Sequence, residues 1–583
     1  MMTAQASGET NNTASGVVPL AGAIYRFLAN VASRPEPQLE SAVQRLCEAL
    51  EQGDTCIQIA DLNADEADSR AEAEMSERLL TCGVAGSPTQ GRPLVLTRDH
   101  RLYFRRNWQT ERHLAEALVT RLRGSVAPPS PAFLSALENV FGLEDSPAKA
   151  AARLTATAPL TLICGGPGTG KTTGVLKLLA CLHEAGENSL EATALCAPGK
   201  AAARLREAIG GTERLPEALK EALTKNVSTI HKLLQPLPEG GFRHGQGRPL
   251  PLRRLIVDEA SMIDMVLLKH LLEALPEDAC LLLLGDPDQL ASVEAGAVFG
   301  DLTRMRLASE EESRIDDLDT FKAAMERQTI RYTQNFRFVQ QPGISTLCEC
   351  VRNGDTSAAL ELLASEGSNE VILNELSQPE PMKDRALRSA LQESLQPLLE
   401  AMEVETALNR LDAQRVLCVL RQGPFGVAGL TRKLFRQQGI DEQAPHSWPN
   451  GMPILLTRNA PRLGLANGDV GVLWRMRGFA QVHFSRDIVV PLSALPAWEA
   501  GPVLTVHRSQ GSEYSCVHLV LPPEDHPLLT RELIYTAVSR ARERVVIWGC
   551  GEVLAKAIAQ RTRRKTGLLE QLADCWKSPK LSF

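Results

Sequence analysis

The stretch GGPGTGKT, Gly165 to Thr172, limits what this chain can fold into more than any other part of it. It fits G-x-x-x-x-G-K-[ST], it follows the apolar run LTLIC, and it opens TGVLKLLACLHEAG, whose apolar spacing predicts a helix. A strand that turns through glycines into a helix wraps backbone N–H groups around a phosphate and puts the positive end of the helix dipole behind them. Gly165, Gly166, Pro167, Gly168, Thr169 and Gly170 form the expected cradle, Lys171 the cation for the β- and γ-phosphates, and Thr172 a ligand for Mg²⁺. A glycine turn that binds nothing is the competing reading. The complete octapeptide between strand and helix argues against it.

A phosphate loop needs an acidic partner, and RLIVDEAS supplies one. The run Leu255, Ile256, Val257 delivers Asp258 and Glu259 to the carboxyl end of a strand, where open α/β sheets bind ligands. Asp258 is expected to hold Mg²⁺ through water, and Glu259 to orient and deprotonate the attacking water. A second buried run, LLLLGDPDQ, ends in Gln289, a candidate sensor of the γ-phosphate whose amide bonds either that phosphate or the water.

The 583 residues allow roughly three to five domains. No apolar run is long enough to span a bilayer, and MMTAQASGETNNTASG lacks the basic and apolar regions of an export signal, so residues 1–15 read as a disordered leader. Thirteen cysteines without C-x-x-C pairs suggest reduced thiols and a cytoplasmic protein. A net charge of −7 disfavours unspecific coating of nucleic acid but leaves room for a basic groove. Residues 16–124 read as a mainly helical domain, closed by the proline-rich linker SVAPPSP. Strand and helix runs then alternate over 125–335 and again over 336–583, the pattern of α/β folding around parallel sheets. Short β-rich runs at about 451–500 predict a small inserted barrel. The acidic tract SEEESRIDDLD, Ser309 to Asp319, reads as solvated charge, with no constellation for nuclease chemistry.

With GGPGTGKTT, the segments TIHKLL, IVDEASMID, GDPDQLASVEAGAVFGDL, NFRF, VLCVLRQGPFGVAGL, NGDVG, TVHRSQGSEY and YTAVSRAR follow one another in an order that resembles the superfamily 1 helicases, and within them the RecD subunits of RecBCD-type exodeoxyribonuclease V complexes. The resemblance covers nearly the whole chain. It implies two RecA-like P-loop domains with ATP and Mg²⁺ in the cleft between them, single-stranded DNA across the top, and 5′-to-3′ movement. It also implies RecB-like and RecC-like partners in a heterotrimer that acts at duplex ends in recombination and repair.

On this resemblance Thr173, Gln510, Gly511 and Glu513 face the nucleotide, and Arg337 and Arg540 reach the γ-phosphate as paired guanidiniums. Thr505, His507 and Ser509 supply donors to the DNA backbone, beside Thr229, His231 and Asn467. Lys200 stands equally as a DNA contact or a solvated lysine at a helix start. Two departures stand out. Ala148 occupies the position where the family often has a glutamine that reads adenine, and CAPGKAA is one residue short of the family's A-P-T-G-K-A, losing a DNA-contacting threonine. RLYFRRNWQTERHLAEALV sets Leu102, Phe104 and Trp108 among Arg105, Arg106 and Arg112, a composition that suits an interface, a core or DNA. The resemblance favours docking on partner subunits. The rival readings are a P-loop ATPase that remodels proteins, a structural subunit whose ATP site has decayed, and a RecD-like helicase that acts alone.

Overall fold

The computed structural model describes residues 17–62, 69–124, 128–186, 192–292, 294–304, 316–339, 341–365, 369–376, 380–476, 478–485 and 488–577. The expected leader and most of the acidic tract at 309–319 lie outside these residues.

Helices Val17–Val31, Leu39–Glu51 and Ser69–Thr81 pack on four short strands, β1 (Ile57–Gln58), β2 (Ala85–Gly86), β3 (Leu94–Leu96) and β4 (Arg101–Phe104), which lie in the order β1-β4-β3-β2. Leu46, Leu79, Leu94 and Leu102 fill the core between them. The sequence predicts helices here and misses the sheet. Strands of two to four residues are too short for alternation to register as a pattern. The next helix, Arg105–Arg123, does not stay with this body: its Leu114, Ala115, Leu118 and Val119 join the core of the following sheet. The expected boundary at 124 therefore falls after a helix that two bodies share.

Six parallel strands come next: β5 (Leu160–Gly165), β6 (Thr193–Cys196), β7 (Val227–Ser228), β8 (Arg254–Val257), β9 (Cys280–Gly285) and β10 (Thr329–Tyr332), in the order β10-β5-β9-β8-β6-β7. Every residue of β5, β8 and β9 is buried, as continuous apolar runs covered on both faces require. The chain leaves β5 toward β6 on one side and returns at β10 on the other. The carboxyl end of β5 is thus a topological switch point, where such sheets open a crevice.

A second parallel sheet uses β11 (Val371–Asn374) and β12 (Gln414–Cys418). An excursion through β13 (Pro453–Leu456), β14 (Val470–Met476), β15 (Phe479–His483), β16 (Val489–Pro491) and β17 (Trp498–Ala500) follows, before β18 (Val503–Thr505), β19 (Tyr514–Val520) and β20 (Ala541–Trp548) complete the sheet in the order β11-β20-β19-β12-β18. The inserted strands make an antiparallel sheet, β16-β15-β14-β13-β17, over a core that includes Phe435, Trp448 and Leu473. Among the described residues no ladder joins β16 to β17, so the sheet is open where a small barrel was expected. Edge strands of three residues are too short to wrap around and close it.

After helix Gly551–Ala559, residues 560–567 run back to helix Leu568–Lys577, whose Leu568, Leu572 and Cys575 pack in the core of the first parallel sheet. None of the thirteen cysteines, all of which lie in the described residues, forms a disulfide. No helix of the described residues is long and apolar enough to cross a membrane.

Candidate active site

The crevice at the end of β5 is built by glycine. Gly168 and Gly170 take positive φ values of 75° and 83°, and helix Lys171–Glu184 starts directly behind them. A side chain at Gly168 would meet Asn335 Oδ1 at 2.9 Å and Arg337 Cβ closer still. This tightness comes from the segment NFRF, which is stitched to the loop: the Phe336 N–H donates to the Gly168 carbonyl at 2.9 Å and Asn335 Nδ2 to the Pro167 carbonyl at 2.9 Å. Lys171 folds back, its Nζ donating to the carbonyls of Gly165 and Gly166 at 2.5 and 3.0 Å.

Asp258 and Glu259 follow β8. Thr172 Oγ1 lies 3.4 Å from Asp258 Oδ2, so the hydroxyl and carboxylate expected to hold Mg²⁺ converge. Burial, reinforced by the neighbouring Glu259, pushes the Asp258 carboxyl up to about 6, against the pull of Lys171. Glu259 has φ 53°, a left-handed conformation that strains a non-glycine residue.

Gln289 is buried, and its Nε2 donates to Asp286 Oδ2 at 3.1 Å. The same carboxylate oxygen accepts the hydroxyl of Tyr535 at 3.0 Å, from a helix on the far side of the cleft. Burial raises Asp286 to about 6.

Across the cleft, Arg337 Nη2 and Arg204 Nη1 share Glu513 Oε1 at 2.6 and 3.1 Å. Burial alone would raise the Glu513 carboxyl, but Arg337, Arg204 and Arg540 outweigh it and hold the group below its usual value. Burial, with help from the charges of Arg540 and Arg204, lowers Arg337 despite its partner. Arg540 is 2% exposed, with Nε on the Thr536 carbonyl and Nη1 on that of Ser512.

The structure thus gathers Pro167 to Thr173, Asp258, Glu259, Gln289, Arg337, Gly511, Glu513 and Arg540 on one cleft of about 900 Å³. Ala148 lies on its wall as well. Gly165 and Gly166 sit behind the loop; a side chain at Gly166 would meet the Tyr535 hydroxyl at 2.9 Å. Gln510 is turned elsewhere and donates to the Leu290 carbonyl at 3.0 Å. Sequence reasoning missed Arg204, Tyr535 and Phe336, whose ring is 59% exposed on the cleft wall. Tyr535 and Phe336, like Asp286 behind them, stood inside motifs already quoted, so their positions alone were available as a signal.

The residues expected to face DNA do not form one surface. Ser509 is fully buried and spends its hydroxyl on the Val506 carbonyl, which leaves nothing for a phosphate. Thr505 is 8% exposed and caps the turn that follows it. It lines a smaller cleft between the second sheet and the inserted sheet, with Arg421, Gln422 and Arg508. Arg508 donates to Asn467 Oδ1 at 2.7 Å, so these two act together. His507 is half-buried, and burial lowers its imidazole below the usual value. Thr229 caps helix Ile230–Leu234, and His231 stands edge-on to Phe242. The Lys200 side chain lies outside what is described.

Residues 148–295 match the AAA domain family and residues 501–548 the UvrD-like helicase C-terminal domain family. The chain is 34% identical over 564 residues to the RecBCD enzyme subunit RecD of Mycolicibacterium smegmatis, covering 94% of this chain and 96% of that one. It belongs to the RecD family. A second RecD subunit, from Haemophilus influenzae, is 30% identical over 81% of this chain and 80% of its own length. The ATP-dependent RecD2 DNA helicase of Deinococcus radiodurans is 34% identical over 71% of this chain and half of its own. The similarity to RecD subunits, but not to RecD2, runs over most of both chains. Among solved structures, a Pif1 helicase on forked DNA matches with a TM-score of 0.37 at 15% identity, covering 72% of this chain and 92% of that one.

Proposed function

We propose that this member of the RecD family is the ATP-driven, 5′-to-3′ DNA translocase and helicase subunit of a RecBCD-type complex, with RecB-like and RecC-like partners. The observation that carries the reading is the cleft itself. The phosphate loop, Asp258, Glu259 and Gln289 come to it from the first sheet, and Glu513 and Arg540 from the second, so a nucleotide bound there touches both bodies.

The residues present fit a nucleotide with Mg²⁺. The loop forms a cradle, Thr172 and Asp258 supply hard oxygen donors, and the buried Nη1 of Arg337 has no hydrogen-bond partner. Mg²⁺ held there by Thr172 and Asp258 would neutralise phosphate charge. Lys171 leaves its two carbonyls for the phosphates. Glu259 aligns a water and takes its proton, while Gln289 reports whether the γ-phosphate is there. Arg337 and Arg540 meet the charge that spreads over the transferring group, a contribution of about 10³ to 10⁵ in rate for such guanidiniums. Phe336 offers a flat face to the base.

The DNA side is read as the strip that contains Thr505, Arg508, Arg421 and Asn467. Arginine and amide groups there suit backbone phosphates and carry no sequence preference. Partner docking is assigned to the helix Val17–Val31, where Leu20, Phe27 and Val31 are exposed. Leu102, Phe104 and Trp108, in contrast, pack within the chain. The test is a comparison of duplexes with 5′ and 3′ overhangs, given ATP and Mg²⁺, with ATP turnover measured in the presence and absence of single-stranded DNA. Unwinding from the 5′ overhang with DNA-stimulated turnover is expected. Preference for the 3′ overhang overturns the polarity, and turnover indifferent to DNA overturns the motor.

A further inference from the structure

Residues 560–567 form neither helix nor strand, yet they tie three bodies together. Arg561 approaches Glu532 behind the second sheet at 3.6 Å and Asp288 of the first at 3.9 Å. Lys565 donates its N–H to Asp54 Oδ1 at 2.8 Å, accepts from the Thr55 N–H at 2.9 Å and pairs its ammonium with Asp61 at 2.6 Å. The Gly567 N–H reaches both oxygens of the buried Glu111 at 3.2 Å.

Between these contacts Arg564 turns inward. Its Nη1 donates to the carbonyls of Glu294 and Gly296, both at 2.8 Å, and its Nη2 to the carbonyl of Ser292. Those carbonyls belong to the loop that leaves Gln289. Gly53 of the N-terminal body closes the other side: its carbonyl accepts from the Gly296 N–H at 3.0 Å, and a side chain there would meet the guanidinium carbon at 2.7 Å. The Arg564 charge also acts on His507, in the segment that precedes Glu513.

Arg564 is half-buried, and drawing a guanidinium even partly out of water is costly, which a strap that only fastened two ends together would not require. A planar fork that bonds several carbonyls at once fixes their mutual geometry, which a lysine ammonium, a point charge on a flexible stem, does not. We propose that Arg564 is a positioning residue for ATP hydrolysis: it sets the loop behind Gln289 and makes turnover answer to the N-terminal body through Gly53. The proposal rests on the ATPase reading above.

The experiment uses the full chain as wild type, Arg564→Ala, Arg564→Lys and, on the same strap, Lys565→Ala. ATP turnover is measured with and without a single-stranded oligonucleotide, together with thermal midpoints. Wild type without DNA-stimulated turnover overturns the reading of the cleft itself, before any variant is compared. Given that turnover, Arg564→Ala is expected to lose about tenfold in kcat with KM for ATP within about twofold, because ground-state binding is untouched. Arg564→Lys is expected to lose a similar amount at a wild-type thermal midpoint, and carries the test if the alanine variant does not fold. Dilute guanidinium, but not urea, is expected to restore Arg564→Ala. Lys565→Ala is expected to keep wild-type kcat. Full turnover in both Arg564 variants, or an equal loss in Lys565→Ala, overturns the proposal and leaves a strap that only fastens.

Discussion

Arg337 Nη2 and Glu513 Oε1 stand 2.6 Å apart across the nucleotide cleft, and Arg204 holds the same oxygen from the first sheet's side at 3.1 Å. One carboxylate thus restrains two guanidiniums where a γ-phosphate would compete for them. Arg337→Ala is expected to lower kcat by about 10³-fold or more while KM for ATP changes little, since its contact matters most as charge develops in the transition state. Glu513→Gln is expected to lose less, because both arginines remain. Steady-state ATPase assays on the two variants check the order, and a larger loss in Glu513→Gln would reverse the roles.

Among the described residues Lys171 bonds only the carbonyls of its own loop. Removing it leaves β5, helix Lys171–Glu184 and the glycine turns intact, so Lys171→Ala is expected to keep the wild-type thermal midpoint and fall at least about 10²-fold in turnover. Turnover near wild type would place the phosphates elsewhere.

The phosphate loop, Asp258 and Gln289 were legible in the sequence because each sits at the end of a long apolar run, and strand ends of a parallel sheet face one crevice. Arg204 was not, since nothing in KAAARLRE distinguishes an arginine on the cleft side of the helix from one in solvent. Ser509 read as a phosphate donor because the motif is polar. The structure buries its hydroxyl as the internal brace of a turn, and pattern alone does not separate the two. The small N-terminal strands escaped detection through shortness, and the contacts of 560–567 through distance: Gly567 and Glu111 are 456 residues apart in the chain.

Partner docking and folding separate at the N-terminus. Leu114 and Leu118 are completely buried against the first parallel sheet, so a truncation that begins at Ser125 exposes that core. Losing such leucines costs about 2–5 kcal/mol each, and the truncated chain is expected to aggregate rather than yield an isolated motor. A triple change of Leu20, Phe27 and Val31 to serine touches only exposed positions and is expected to keep DNA-stimulated ATPase while losing co-purification with the partner subunits. Co-purification at wild-type yield would move the docking face elsewhere.

Glu111 gives the junction between the first and last parts of the chain a dependence on pH. Its carboxylate is completely buried, accepts from Thr55 Oγ1 at 2.5 Å, from the Gly567 N–H and from Gln571 Nε2 at 3.0 Å, and burial outweighs these bonds, pushing the group up to about 7. A carboxyl raised in the fold binds a proton that the unfolded chain has already released. Its stabilising contribution is therefore complete below about pH 4.5 and is lost as pH rises through about 7. Over that window the loss is of the order of 3 kcal/mol from this group. Thermal unfolding followed between pH 5 and 8 is expected to show a falling midpoint in wild type and a flatter profile in Glu111→Gln, which keeps the acceptor oxygen but cannot ionise. Parallel profiles for the two proteins would show that Glu111 does not titrate in this range, and that Thr55, Gly567 and Gln571 hold it ionised throughout.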